Sequence, residues 1–335
     1  MKKEKKGLVG IIVLIIVIVI VIALFIAGLL VYRFISKRLE NVNYVEIDKS
    51  DIGIVEIYEE PKEDKNEEVK FDSVKTIALF GTDSRNVDDM YSGRADSIII
   101  ASLNPEKYSV KLISIPRDTY VDIPGYYMDK INHAFAFGQE QLLLKTLNNN
   151  FGINVSEYIT VDFLGLARVI NSIGGINLTI SQDEMNVIND YLKEIYALEG
   201  TPYTPMTEFG DVLLTGEQAV AHSRDRYVGS DFTRGERQRQ VIEAIINKIS
   251  TFDSDRQIKF IDDFLAQVHT NVNITEYLPQ ILSVLLNMDK YNENIISSQV
   301  PTLDYASGQY INGIYYLVCD LDRAKEEFRT YIYEK

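Results

Sequence analysis

Residues 7–32, GLVGIIVLIIVIVIVIALFIAGLLVY, run for 26 positions without a charge. At about 1.5 Å of rise per residue, a helix of this length exceeds the roughly 30 Å hydrocarbon core of a bilayer. The run is longer than the ~7–15-residue apolar region of a cleavable signal, and no convincing A-x-A site follows it. The sequence therefore predicts one uncleaved transmembrane anchor, and no other stretch is long and apolar enough to cross again. Lys2, Lys3, Lys5 and Lys6 precede the span while Arg33, Lys37 and Arg38 follow it, so the positive-inside balance is nearly even. A six-residue head is trivially retained inside, and a large C-terminal part translocates regardless of charge. The expected topology is a cytoplasmic tail (1–6), an anchor (7–32) and everything beyond it outside: a single-pass cell-membrane protein with an extracellular C-terminal domain.

Beyond the anchor the composition changes twice. Residues 41–70 hold ten acidic and four basic residues, so the segment 33–70 reads as an acidic, solvated linker or stalk with at most a short strand. From about residue 71 to 335 the pattern becomes globular. KTIALF (75–80), DSIIIASL (96–103) and SVKLISI (109–115) are short isoleucine-rich runs that suit strands covered on both faces. Helical patterns at 133–152 and 162–175 alternate with them, and INLTI (176–180) reads as a further strand. The expected fold class is α/β, a three-layer α/β/α sandwich with a central mixed sheet, preceded by the one N-terminal transmembrane helix. Residues 185–210 are polar and poorly patterned and read as an inserted surface excursion. Residues 255–290 read as helical, and 300–305 with 312–320 as a final strand and closing helix.

The chain carries 34 basic and 49 acidic residues, a net charge of −15, which argues against nucleic acid as a partner. Yet five of the arginines (Arg224, Arg226, Arg234, Arg237 and Arg239) fall within HSRDRYVGSDFTRGERQRQ, residues 222–240. Thr215-x-x-Gln218 and Thr233-x-x-Glu236 match the capping box and mark two helix starts. With Thr233 as N-cap, Arg234 and Gln238 share the apolar stripe of Val241, Ile245 and Ile249. A core-facing arginine on a first helical turn is costly unless an anion pairs with it, and that helix end offers free N–H groups to the same anion. Arginine also grips phosphate oxygens in a planar, bidentate way. Against this stands a solvated basic face with Asp225, Asp231 and Glu236 as local partners. The lone cysteine, Cys319, excludes an internal disulfide or a cysteine-rich metal site and reads as a small buried hydrophobe.

In open α/β sheets ligands bind beyond the carboxyl ends of strands. FGTDSR places Asp83 and Arg85 after the first strand, SGRADS places Arg94 and Asp96 at the start of the next, and SIPRDTYV places Arg117 and Asp118 after the third. Asp83 and Asp96 have two explanations: turn capping, or a shared Mg²⁺ completed by substrate phosphate oxygens and water. Arginines with a divalent cation are what phosphoryl transfer demands, because its transition state asks for positioning and charge stabilisation.

GTDSR, SGRADS, SIPRDTYV, KINHAFAFG, GGINLTI, LLTGEQAVAHSRDRY and DFTRGERQRQ occur in the order seen in the LytR–CpsA–Psr family, and the resemblance covers roughly residues 74–320. It implies a membrane-tethered phosphotransferase of the outer envelope face, mainly of Gram-positive bacteria. Such an enzyme moves an anionic glycopolymer (teichoic acid, capsule or similar) from a polyprenyl-pyrophosphate carrier to a peptidoglycan sugar hydroxyl, with Mg²⁺ (or Mn²⁺). By resemblance Asp83 and Asp96 are the metal pair. Arg94, Arg117, Lys130, Arg224, Arg226, Arg234 and Gln238 correspond to pyrophosphate ligands, with Asp231 the acid beside them. Arg85 fits its motif as a further pyrophosphate contact. Asp83, Asp96, Arg117, Arg224 and Arg226 are the candidate catalytic set. The stripes of helices 133–150 and 234–250 are ordinary core or, by resemblance, a slot for the lipid tail, and His133 reads as structural. Two competing functions remain: a polyprenyl-pyrophosphate phosphatase with water as acceptor, and a non-catalytic envelope receptor or scaffold for lipid-linked precursors.

Overall fold

The isoleucine-rich runs do form strands, and the way they pair fixes where the charged loops emerge. The computed structural model describes residues 43–54, 74–84, 91, 93–229, 231–273, 276–277, 280, 283–284 and 286–333. The apolar run 7–32, most of the acidic linker and Arg85 lie outside the described residues. No helix among the described residues is long and apolar enough to cross a membrane.

In chain order the elements are β1 (Asn43–Tyr44), β2 (Lys75–Thr82), β3 (Ala95–Asn104), β4 (Ser109–Ser114), β5 (Tyr120–Asp122) and β6 (Met128–Lys130). Then come α1 (His133–Phe151), β7 (Glu157–Asp162), α2 (Phe163–Ser172), β8 (Ile176–Ile180), α3 (Gln182–Glu199), β9 (Gly210–Leu214) and α4 (Gly216–Arg224). The remainder is α5 (Asp231–Ser250), α6 (Ser254–Leu265), β10 (His269–Thr270), α7 (Met288–Asn292), β11 (Ile295–Gln299), β12 (Ala306–Ile311), β13 (Ile314–Cys319) and α8 (Leu321–Tyr333). Seven strands form one mixed sheet in the order β1-β10-β7-β2-β3-β4-β11, as a central mixed sheet was expected to. β3 runs antiparallel to both β2 and β4, so the ends of β2 and β4 and the start of β3 share one sheet edge.

Alternation along the strands separates the two faces. Ile98, Ile100 and Ile113 join Leu143, Leu144 and Leu147 of α1 and Phe328 and Ile332 of α8 in one buried cluster. Ser114 has the opposite parity and meets α5, whose Gly235 approaches so closely that an added Cβ would lie 3.2 Å from Ser114 Oγ. A second cluster joins α2, α3, α4 and α5 with the ribbon β8–β9.

Four expectations are corrected. Residues 185–210 are not a surface excursion through their length: α3 occupies 182–199, opens on a Ser181–Glu184 capping box, and buries Ile188, Leu192 and Ile195 in the second cluster. Its polar residues line the outer face and dilute the apolar stripe. Residues 43–54, read as part of the solvated linker, pack on the domain instead: β1 joins the central sheet and Ile52 is fully buried, its carbonyl accepting from Asn148 Nδ2 at 2.7 Å. Residues 300–305 form no strand, and 312–320 are not the closing helix: β12 and β13 make a hairpin before α8 closes the chain's described part. Finally, Thr233 is not an N-cap: α5 starts two residues earlier, at Asp231, placing Thr233 in the first turn. The Thr215–Gln218 box is present as read.

Candidate active site

The shared edge of β2, β3 and β4 gathers the charges that the sequence spread over separate loops. At the end of β2, Asp83 and Arg94 close on one another: Asp83 N–H donates to Arg94 O at 3.1 Å, and Arg94 N–H donates to Asp83 Oδ1 at 2.6 Å. Gly93 permits this approach, since a Cβ there would sit 2.6 Å from Asp83 Oδ1. Two residues on, Asp96 receives Arg117 Nη1 at 2.6 and 2.7 Å on its two oxygens. Asn132 Nδ2 stands 3.5 Å from Asp96 Oδ1, and Gln238 Nε2 donates to the Asp96 carbonyl at 3.3 Å. Arg117 lies also against Asp118 at 3.8 Å, and Lys130 Nζ pairs with Asp118 at 2.7 Å.

Helix α5 brings Arg234 to the same place, only 4% exposed, as a core-facing first-turn arginine should be. Burial pushes the Asp96 carboxyl up, but the charges of Arg117, Arg234 and Arg226 outweigh it and hold the group below the usual carboxylate range. Asp96 therefore stays ionised, and three guanidinium groups surround it. Arg226 is exposed, on the loop between α4 and α5. A cluster of fixed cations around one carboxylate retains net positive charge, which suits a ligand carrying several negative charges.

Arg224 is placed differently. Its guanidinium donates to Glu194 at 3.0 Å and lies over the rings of Phe163 and Tyr191, at 4.7 and 4.9 Å. Asp231 opens α5. Arg237 and Arg239 are neither a solvated face nor part of the cluster: both are buried structural residues. Arg237 donates to Glu184 at 2.9 Å and to the carbonyls of Asp225 and Val228 at 3.2 and 2.6 Å. It thereby clamps both sides of the loop that carries Arg226. Arg239 donates to Ser114 Oγ.

Asp83 and Asp96 offer hard carboxylate oxygens at neighbouring strand ends, the donor type Mg²⁺ prefers, and a carboxylate keeps acceptor sites beyond those its hydrogen bonds use. Among the described residues no group of three or more His, Cys, Asp or Glu is placed to hold a metal. The two aspartates fit a cation that takes its other ligands from phosphate oxygens and water.

Sequence reasoning overlooked three groups here. Asn132, the N-cap residue of α1, had no signal beyond its position in KINHA. Asp129 and His133 pair at 2.7 Å, an i,i+4 spacing readable only once the helix start is known. Glu184 and Glu194 sit on α3, whose polar outer face masks its helical period in the sequence.

Known proteins share this arrangement of chain. The teichoic acid transferase TagU of Enterococcus faecalis, in full polyisoprenyl-teichoic acid–peptidoglycan teichoic acid transferase, is 36% identical over 206 residues, 59% of this chain and 61% of that one. The protein of the same name from Bacillus mycoides is 32% identical over 301 residues, covering 89% of this chain and 87% of that one. A solved structure of TagT bound to LI-WTA superposes with a TM-score of 0.62 at 25% identity, over 78% of this chain and 91% of that one. The loops that meet at the sheet edge, from GTDSR to RGERQRQ, all fall inside residues 44–331, the span matched by one family model, and the chain belongs to the LytR_cpsA_psr family.

Proposed function

We propose that the protein is a phosphotransferase that moves a teichoic-acid-type anionic glycopolymer from a polyprenyl-pyrophosphate carrier to a peptidoglycan sugar hydroxyl. The observation that carries this reading is the cluster of Arg117, Arg226 and Arg234 about Asp96. Its charge and geometry suit a pyrophosphate, and relatives named as teichoic acid transferases support the substrate class. Arg117 and Arg234, fixed by the sheet and α5, hold the diphosphate, while exposed Arg226 closes on it from the loop clamped by Arg237. Lys130 and Arg94 border the same edge. The acceptor hydroxyl attacks the sugar-linked phosphorus, the bond to the bridging oxygen breaks, and polyprenyl phosphate leaves. Fixed cations stabilise charge on the transferring oxygens without reorganising at the moment of reaction. Mg²⁺ (or Mn²⁺), held by Asp83 and Asp96, supplies further charge neutralisation when bound.

The uncharged run 7–32 supports a single-pass anchor, with the domain from residue 43 onward on the outer membrane face, where peptidoglycan is available. The test is transfer by the full chain in detergent micelles, from a lipid-linked donor to isolated peptidoglycan. Phosphodiester-linked polymer on the glycan supports the proposal. Release of free polymer whether or not acceptor is present indicates a phosphatase, and donor binding without turnover indicates a receptor; either outcome contradicts it.

A further inference from the structure

Asp129 lies in β6 and is 6% exposed. Its Oδ2 stands 2.7 Å from His133 Nδ1, while Oδ1 accepts from Lys130 N–H at 2.8 Å and from the Tyr316 hydroxyl at 3.3 Å. A carboxylate held in this way draws the imidazole N–H to Nδ1 and leaves the ring's lone pair on Nε2. The His133 side chain is 24% exposed, so the ring edge that does not face Asp129 has access to solvent. Its ring packs by Phe137, and its chain neighbours tie it to the cluster already described. Lys130 pairs with Asp118 beside Arg117, and Asn132 reaches Asp96. An oriented, open imidazole thus borders a cationic site that has no other assigned base.

Resting on the transferase reading, we propose that His133 is the general base that activates the acceptor hydroxyl, with Asp129 as its positioning residue. The hydroxyl proton passes to Nε2 as its oxygen bonds to the sugar-linked phosphorus. The bond from that phosphorus to the bridging oxygen breaks, and the bridging oxygen departs on polyprenyl phosphate. The imidazolium then returns its proton to water. A base must be neutral to take the proton, so an acidic limb in the pH dependence of turnover that vanishes with the His133 imidazole is the signature of this role. The charged or titratable groups around the ring are Asp129 and Lys130 of β6, Asp118, Asp96 beyond Asn132, Tyr316 of β13, and Tyr126 and Tyr127, which pack on neighbouring Phe137. A limb present in wild type and lost in His133→Gln is the one that belongs to the histidine.

The experiment compares wild type, His133→Gln, Asp129→Asn and Arg226→Ala, each as the full chain, with a short-prenyl pyrophosphate-linked saccharide as donor. Donor Kd, transfer kcat across pH 5–9 and thermal melting are read for each. His133→Gln is expected to lower kcat about 10²–10⁴-fold, abolish the acidic limb and leave donor Kd within about twofold. Asp129→Asn is expected to lower kcat by a smaller factor and displace the limb. Transfer by wild type together with an unaltered limb or kcat in His133→Gln overturns the base assignment alone. Loss of donor binding in His133→Gln at unchanged melting also overturns it, because the residue would then be a ligand. No transfer by wild type overturns the parent reading and this one together, and Arg226→Ala shows whether the pyrophosphate site is correct independently of the base.

Discussion

Arg226 is the exposed arginine of the cluster, so its removal separates chemistry from folding. Arg226→Ala is expected to lower transfer about 10³-fold with the melting temperature unchanged, checked by matched kinetic and thermal measurements on the full chain. Arg234 was legible from periodicity alone: a guanidinium on an apolar stripe needs an anion, and it lies beside Asp96. The Asp129–His133 pair was not legible, because the carboxylate lies in strand β6 and the histidine on the first residue of α1, so no single periodicity relates them. A second residue-scale consequence concerns Glu140, 2% exposed, which accepts from Thr160 Oγ1 at 2.9 Å. Burial pushes its carboxyl up, ahead of the opposing hydrogen bonds. A raised carboxylate pKa means that folding favours the protonated form, so ionisation destabilises the protein as pH rises above the ordinary glutamate range. Glu140→Gln is expected to raise thermal stability at pH 8 and to have little effect near pH 4, as measured by melting curves at both values.

Helix α3 is the element whose role was most underestimated. Met185, Ile188, Leu192 and Ile195 recur at helical spacing and Ser181-x-x-Glu184 starts the helix, but the polar outer face and the loop that follows hid the pattern. It supports the arginine region twice, through Glu184 to Arg237 and through Glu194 to Arg224. Leu192→Ala is expected to cost about 2–5 kcal/mol by denaturant unfolding, the range for a truncated core leucine. Glu184→Ala removes the partner of a buried guanidinium and the capping box together, and is expected to destabilise by about 3–5 kcal/mol. Burial pushes Glu184 up, but bonds from Ser181 and Arg237 win and hold it low. Its contribution is therefore present above the ordinary glutamate range and lost on acidification below it. The strands were legible for the opposite reason: isoleucine runs bounded by turns leave few other options. The β12–β13 hairpin was obscured because tyrosines on its exposed face broke the alternation.

At the scale of the whole molecule, a chain of net charge −15 concentrates fixed positive charge at one sheet edge. That contrast was visible in the sequence as clustered arginines. What the sequence lacked was the pairing order of the sheet, which decides that β2, β3 and β4 present their loops together. The acidic remainder repels other polyanions, so a diphosphate has one favourable place to bind. The most direct test is equilibrium binding of a prenyl pyrophosphate to the full chain in detergent micelles, for wild type and for a variant combining Arg117→Ala with Arg226→Ala. The account predicts saturable binding to wild type and an affinity at least about tenfold weaker in the variant, roughly 1.4 kcal/mol or more. Equal affinity in the two proteins, with both folded, would contradict it.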